Sequence, residues 1–444
     1  MLIVPVLVTG HDGYMEENVV AICRELIQID SRNWGLGESS GEDQIADYVF
    51  EKLKKLGLNP VLVGPDTKRQ SVLCEFTGSD QHADKILIHA HLDVVPFDEK
   101  DWKFHPLAAE VHENSIYGRG AVDMKNGVAM ILATLEELIK NNFKPQATLL
   151  FAFFADEEAG GVLGSHWVVD NHPDFFQGAK FAIGEVGGFS TTLASGIRMY
   201  LIETAQKGIA WMRLNAKGTA GHGSMINNQN AVSEIANAVS RIASYEFPTT
   251  LHESVRQLLS ETAQLSGTRF DANDPESTAD LLQGLSKIVK ATLRDTANPT
   301  MLQAGYKANV IPGTAQAVVD GRFLPGNQEE FINTIKQLAG DKISVDFENL
   351  DVALSNSFQE PLVGKMIEAI AVEDPAARVV PYMLSGGTDA KALSKLKIKG
   401  YGFMPLQLPN NLDFASLFHG VDERIPISSL QFGVRTFKRF LSSL

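Results

Sequence analysis

Residues 148–161 read TLLFAFFADEEAGG. An unbroken apolar run of this length suits a strand covered on both faces, as in parallel sheets with helices on either side. The run stops abruptly at Asp156, Glu157 and Glu158, and small residues follow. Adjacent carboxylates at the end of a buried strand repel one another unless cations neutralise them. A surface acidic turn is the plain alternative. The apolar strand in front argues instead for the carboxyl edge of an α/β sheet, where ligands gather. There one carboxylate can bind metal while its neighbour accepts a proton from water.

Outward from this strand, helical and strand patterns alternate. Helices are expected at Glu16–Ile29, Ser40–Leu56 and Met124–Lys140, and strands at Pro60–Val63, Val72–Phe76 and Lys85–His89. Such alternation predicts an α/β fold with helices on both sides of the sheet. Near Gly208 the pattern changes. A strand at Ala210–Ala216, a helix at Asn230–Ser244, a polar stretch of loop and short helix at Ser254–Pro275, and a strand at Ala308–Asp320 follow. Beyond Gly326 come a helix at Glu329–Leu338 and a strand at Ile343–Phe347, and α/β character returns from Pro361 to a closing helix at Ser428–Leu441. The expected division is a large α/β domain in two parts, 1–207 and 323–444, with a smaller α+β domain inserted at 208–322.

Composition narrows the function. The 444 residues are 44% hydrophobic and 21% charged, ample for a large core and ordinary for a globular chain. A net charge of −15 argues against nucleic acid as a partner. Only Cys23 and Cys74 are present, which points to a reducing, cytoplasmic setting rather than a disulfide framework. No apolar run approaches the roughly 20 residues of a membrane span. The short run Leu2–Val8 reads as an edge strand, since neither a basic flank nor a cleavage pattern accompanies it.

Further chemistry-bearing residues recur along the chain. IHAHLDVVP (88–96) ends a strand and sets His91 and Asp93 two apart, so both can face one side. A neutral imidazole is a good zinc ligand, and a nearby carboxylate can orient it through its other nitrogen. YGRGAVDMKNG (117–127) places Asp123 just before a helix. Asp123 could cap that helix, or bridge two metals, which an imidazole cannot do. Glu185 ends the apolar FAIGE segment, and His419 lies in LFHGVDERIP. Taken singly, each has a structural explanation. Together they form an imidazole and carboxylate set that suits zinc, with cobalt or manganese as substitutes.

HLDVVP, GRGAVDMKNG, ADEEAGG and FHGVDERIP stand in the order and spacing of a known family. From about residue 16 to its end, the chain resembles the dinuclear-zinc metallopeptidase family that contains acetylornithine deacetylase, succinyl-diaminopimelate desuccinylase, aminoacylase, glutamate carboxypeptidase and carnosinase-like dipeptidases. The resemblance implies two Zn²⁺ per subunit. His91 and Glu185 would bind one, Glu158 and His419 the other, and Asp123 would bridge them. Glu185 stands in EVGGF, where family members often carry EP or D. Glu157 would be the general base, and Asp93 would orient His91. GTAGHGS (218–224) resembles the family's lid motif, whose histidine reaches the neighbouring subunit's site. His222 would then stabilise the oxyanion in a homodimer. Asn309, Arg322 and the backbone of Gly386 and Gly387 would hold the substrate's carboxylate.

The activity so implied is hydrolysis of the amide bond of a dipeptide or small peptide with a free carboxylate. A branch of the same chemistry acts on N-acyl amino acids. A non-catalytic metal-binding scaffold on this fold would lack the base or break the ligand set, and neither is seen here.

Overall fold

The computed structural model describes residues 12–35 and 38–444, and the expected strand at Leu2–Val8 lies outside them. In chain order, β1 (Val61–Val63), β2 (Ser71–Phe76), β3 (Lys85–His91), β4 (Leu149–Phe154), β5 (Ala179–Gly184), β6 (Phe189–Thr192) and β7 (Arg198–Gln206) enter a large sheet. The chain then builds a four-stranded sheet from β8 (Gly208–Lys217), β9 (Thr296–Ala304), β10 (Thr314–Phe323) and β11 (Ile343–Asp351). It returns to the large sheet for β12 (Arg378–Leu384) and β13 (Lys399–Gly402). Among the described residues the large sheet has ten strands. Its order is β6-β7-β13-β5-β3-β4-β2-β1, with β12 and Leu354–Ser355 paired onto β7.

The middle of this sheet is parallel: β3 pairs with β4 and β5, and β5 with β13. The apolar run of β4 is explained by burial on both faces. Leu149, Phe151 and Phe153 enter a core shared with helices Asp12–Ile27, Lys125–Lys140 and Ile427–Ser442. Leu150, Ala152 and Phe154 enter a second core, with Val168, Val169, Ala392 and Leu393. The three parallel strands β3, β4 and β5 therefore deliver their carboxyl ends to one edge. His91 closes β3, Asp156–Glu158 follow β4, and Glu185 follows β5.

The inserted part differs from its expected boundaries in two ways. Its antiparallel sheet, ordered β9-β10-β8-β11, does not end at 322. β11 pairs along β8 from Asp351 opposite Ile209 to Ile343 opposite Ala216, so backbone hydrogen bonding carries this unit to Asp351. Of the polar stretch Ser254–Pro275, expected as loop and short helix, the first half lies in a 13-residue helix, Glu253–Leu265, and helices Pro275–Ala279 and Ser286–Lys290 follow. Val255, Leu258 and Leu259 of this stretch, with Leu282 and Val289 beyond it, join the core of the large domain. The segment thus packs back onto the large domain, away from the small sheet.

Phe151 is fully buried in the central strand. Phe151→Ala is expected to cost about 3–5 kcal/mol, from lost transfer energy and the cavity left behind. Urea unfolding followed by circular dichroism checks this, and a loss under about 1 kcal/mol would contradict the packing described.

Candidate active site

Tight turns aim the side chains at the sheet edge. Asp156 takes a left-handed backbone (φ +66°) after β4, which lets Glu157 and Glu158 turn back over the strand ends. Val186, just after Glu185, is also left-handed (φ +51°), an uncommon conformation for a β-branched residue. The Tyr382 hydroxyl donates to the Val186 carbonyl and holds that turn. Asp123 precedes helix Lys125–Lys140 but does not cap it: Met124 is the N-cap residue, and the Asp123 carboxylate faces the imidazoles instead.

The imidazoles and carboxylates converge. His91 Nε2 lies 2.9 Å from Asp123 Oδ1 and 3.4 Å from Glu185 Oε2. His419 Nε2 lies 3.1 Å from Glu158 Oε2 and 3.3 Å from Asp123 Oδ2. Asp123 thus offers one oxygen to each imidazole. Donor atoms of His91, Asp123 and Glu158 lie within 4.8 Å of one another, as do those of His91, Glu157 and Glu185. Glu158 Oε1 is buried with no hydrogen-bond partner. A donor set of imidazole nitrogens and carboxylate oxygens, including an orphaned buried oxygen, fits divalent cations of the zinc type.

The electrostatics carry the same message. Burial, with the Asp123 charge added, pushes Glu158 up to about 7. Burial raises Glu185 to about 7 despite the nearby His91. Glu157 is raised well above the carboxylate range, by burial and then by the Glu185 charge. Burial alone would depress His91, but Glu185, Asp123 and Asp93 raise it well above 6.5. Hydrogen bonds to Asp123 and Glu158 raise His419 to about 10. Protonated imidazoles here supply the positive charge that the crowded carboxylates demand.

A supporting set of hydrogen bonds holds these groups. The Asp93 carboxylate accepts from the backbone N–H of Glu157 (3.0 Å) and Glu158 (3.1 Å) and from Asn33 Nδ2 (2.8 Å). His91 Nδ1 meets the backbone carbonyl of Asp93 at 2.9 Å, while the carboxylate stands 3.6 Å off. Asp93 therefore orients His91 chiefly through its main chain, and its side chain clamps the acidic turn. Glu423 has an equal part that the sequence reading missed. Fully buried, its carboxylate accepts from the backbone N–H of Gly120, Val122 and Asp123 and from Arg119 Nη1 at 2.7 Å. Arg119 Nη2 also donates to the His419 carbonyl, joining the loops that carry Asp123 and His419. Both residues lie inside the quoted motifs. A carboxylate immediately before the short strand Arg424–Pro426, with an arginine in the facing glycine turn, was the available signal.

Other expected residues fall nearby or elsewhere. Gly386, Gly387 and Arg322 line a cleft beside the acidic cluster. Arg322 is paired with Asp320 at 2.7 and 3.1 Å. His222 is exposed and bonds to Ser224 Oγ at 2.8 Å, and Asn309 is exposed on the facing loop. Within one chain neither lines the clefts at the cluster.

Known proteins share this arrangement in sequence and shape. The profile of peptidase family M20/M25/M40 matches residues 87–443. "Probable carboxypeptidase S-like 1" of Dictyostelium discoideum is 28% identical over 390 residues, covering 84% of this chain and 75% of that protein. "N-fatty-acyl-amino acid synthase/hydrolase PM20D1" of Xenopus tropicalis is 28% identical over 403 residues, with the same coverages, 84% and 75%. Among solved structures, the M20 family metallo-carboxypeptidase Sso-CP2 from Sulfolobus solfataricus aligns with a TM-score of 0.74 at 20% identity, covering 96% of this chain and 98% of that one.

Ligation requires His91 and His419 to give up their protons, so metal loading near neutral pH should release protons and weaken as pH falls. Calorimetric titration with Zn²⁺ in buffers of different ionisation enthalpy reads this. Binding heats independent of the buffer would contradict it.

Proposed function

Because this chain belongs to peptidase family M20/M25/M40 and is a metal-dependent amide hydrolase, we propose that it cleaves the amide bond next to a free carboxylate in small peptides, with Glu157 as general base. The observation that carries this reading is Asp123 lying between two imidazoles, with Glu158 on one side and Glu185 on the other. His91 and Glu185 would hold one zinc ion, Glu158 and His419 the second, and Asp123 both, with cobalt or manganese as substitutes. When bound, such a pair supplies positive charge that lowers the pKa of a water and polarises the amide carbonyl.

The rest of the chemistry falls to the chain itself. Glu157 sits with His91 and Glu185 and faces both clefts, well placed to take a proton from the attacking water and pass it to the leaving amine. Arg322 would exchange Asp320 for the substrate carboxylate, which its planar fork can grip with two parallel hydrogen bonds. Gly386 and Gly387 line both clefts and leave room for a substrate to approach the main chain.

His222 would stabilise the oxyanion from a partner subunit. Its exposure supports this, as do the exposed apolar residues Met225, Ile226, Met301, Leu302 and Tyr306 on the same small domain, Ile226 at 94%. Large apolar side chains left exposed on this unit would be covered in a subunit interface, so a homodimer is part of the reading. Cys23 and Cys74 are both free and buried, which supports a reducing, cytoplasmic setting. Among the described residues no helix is long and apolar enough to cross a membrane. A relative named for N-fatty-acyl amino acids favours a second substrate reading, hydrolysis of N-acyl amino acids. A non-catalytic scaffold is disfavoured, because the base and the ligand set come together.

Two experiments test these assignments. Glu157→Gln should keep its metal content by mass spectrometry yet lose about 10²–10⁴-fold in kcat; near-normal turnover would remove Glu157 as the base. If His222 serves the partner's site, Glu157→Gln and His222→Ala are each inactive. Mixed and reassembled, they should regain about a quarter of wild-type activity through heterodimers. Failure to complement, with heterodimers shown to form, would place His222 outside the reaction.

A further inference from the structure

Two clefts of opposite character meet at the acidic cluster. Both are lined by Glu157, Glu158, Gly386, Gly387 and His419. One, of about 210 Å³, continues to Arg322, Lys391 and Thr388 and is polar. The other, of about 340 Å³, runs past Glu185 between Phe189, Tyr382, Leu384 and Phe418, and is also lined by Leu285 and Ile288. Its aromatic wall is continuous. The Phe189 ring lies 5.7 Å from Tyr382 and 5.2 Å from Phe414, which lies 5.2 Å from Phe418. Away from the acidic cluster, the polar side chains on this wall are Ser385 and Tyr382, and the Tyr382 hydroxyl is engaged by the Val186 carbonyl.

Leu285 and Ile288 come from the helical stretch that leaves the small sheet to pack on the large domain. The chain bends sharply at Gln283, a non-glycine residue at φ +51° and ψ −114°, just ahead of them. Leu285 is anchored in the core, while Ile288 is only partly buried. The segment therefore does more than cover the core: it supplies the far wall of the cavity.

We propose that this apolar cleft receives the acyl side of the scissile amide and that residues 280–290 select an uncharged apolar group there. The inference rests on the hydrolase reading above. A carboxylate gripped by Arg322 occupies the polar cleft, and an amide at the residues common to both clefts then directs its acyl portion into the apolar one. A second acidic group there would meet Glu157 and Glu185. A basic group would exchange most of its hydration for aromatic rings, with Ser385 the remaining hydroxyl on that wall. An alkyl or aryl group gains by leaving water. The group could be the side chain of the residue preceding the scissile bond or the chain of an N-acyl substituent.

The test uses the full-length, zinc-loaded enzyme and two matched series ending in alanine. One series is dipeptides beginning with Leu, Phe, Gly, Asp or Lys; the other is N-acetyl-, N-hexanoyl- and N-succinyl-alanine. Within the responsive series, kcat/KM should favour the apolar member over the charged ones by about 100-fold or more. The faster series identifies the source of the group. Ile288→Lys, and Ile288→Ala as a milder change confirmed folded by thermal unfolding, should shrink the apolar-to-glycyl or hexanoyl-to-acetyl ratio by about tenfold. A binding arm keeps the two readings separable: calorimetry should show hexanoate binding more tightly than acetate or succinate, and Ile288→Lys should abolish that order. Hexanoate preference without any hydrolysis would overturn the hydrolase reading and sustain the apolar cleft. Hydrolysis with equal or charged-group preference, or ratios untouched in both Ile288 variants, would overturn the cleft assignment.

Discussion

Anionic side chains cannot share a buried site without positive charge between them, and this chain brings Asp123, Glu157, Glu158 and Glu185 to one edge of its sheet. That repulsion is the constraint on which the rest of the structure depends. In the metal-free state it is met by protons, as the raised His91, His419, Glu158 and Glu185 record. Divalent cations meet it more completely, since each carries two charges and accepts several oxygen and nitrogen donors at once. Left to itself the cluster would relax by opening outward. Asp93 and Glu423 prevent that, the first by holding the amides of the acidic turn and the second by holding those of the Asp123 turn. Behind them, Arg69 bridges the buried Glu42 and Asp156, tying the start of the acidic turn to the scaffold.

The fold explains why the clefts on either side differ. Parallel strands place His91, the acidic turn and Glu185 together, and their burial on both faces makes that edge rigid. Trp211, Arg322 and Asn349 of the small sheet wall the polar side, while the 280–290 stretch walls the apolar side. Where the chain crosses between the units, Lys391 Nζ donates to the carbonyls of Lys207 and Val352. Lys391 lies just beyond the glycine pair shared by both clefts, so these bonds tie that loop to both crossing points.

Much of this was legible before the structure. The unbroken apolarity of TLLFAFFA announced a strand buried on both faces, and the carboxylates behind it announced a cation site. His91, Asp123, Glu158, Glu185 and His419, expected as ligands, stand together at the sheet edge. What escaped reading has physical causes. Residues 254–275 looked polar, yet Val255, Leu258, Leu259, Thr262 and Ala263 repeat at helical spacing and form a buried stripe. Charged neighbours on the exposed face masked a 13-residue helix. The end of the inserted unit was set too early because β11 belongs to it through pairing with β8, more than a hundred residues upstream, and long-range register leaves no local mark. Glu423 was overlooked for a related reason. Apart from Arg119, its partners are main-chain amides some 300 residues away, and amides have no side-chain signature. The apolar cleft was invisible because its walls come from Phe189, the 280–290 stretch, Leu384 and Phe418, brought together only by the fold.

The most direct measurement is anomalous diffraction at the zinc edge from crystals of the metal-loaded protein. Two peaks are expected, one against His91 and Glu185 and the other against Glu158 and His419, with an Asp123 oxygen reaching each. A single peak, or zinc bound away from Asp123, would contradict the claim that these acidic side chains are gathered to hold a pair of cations.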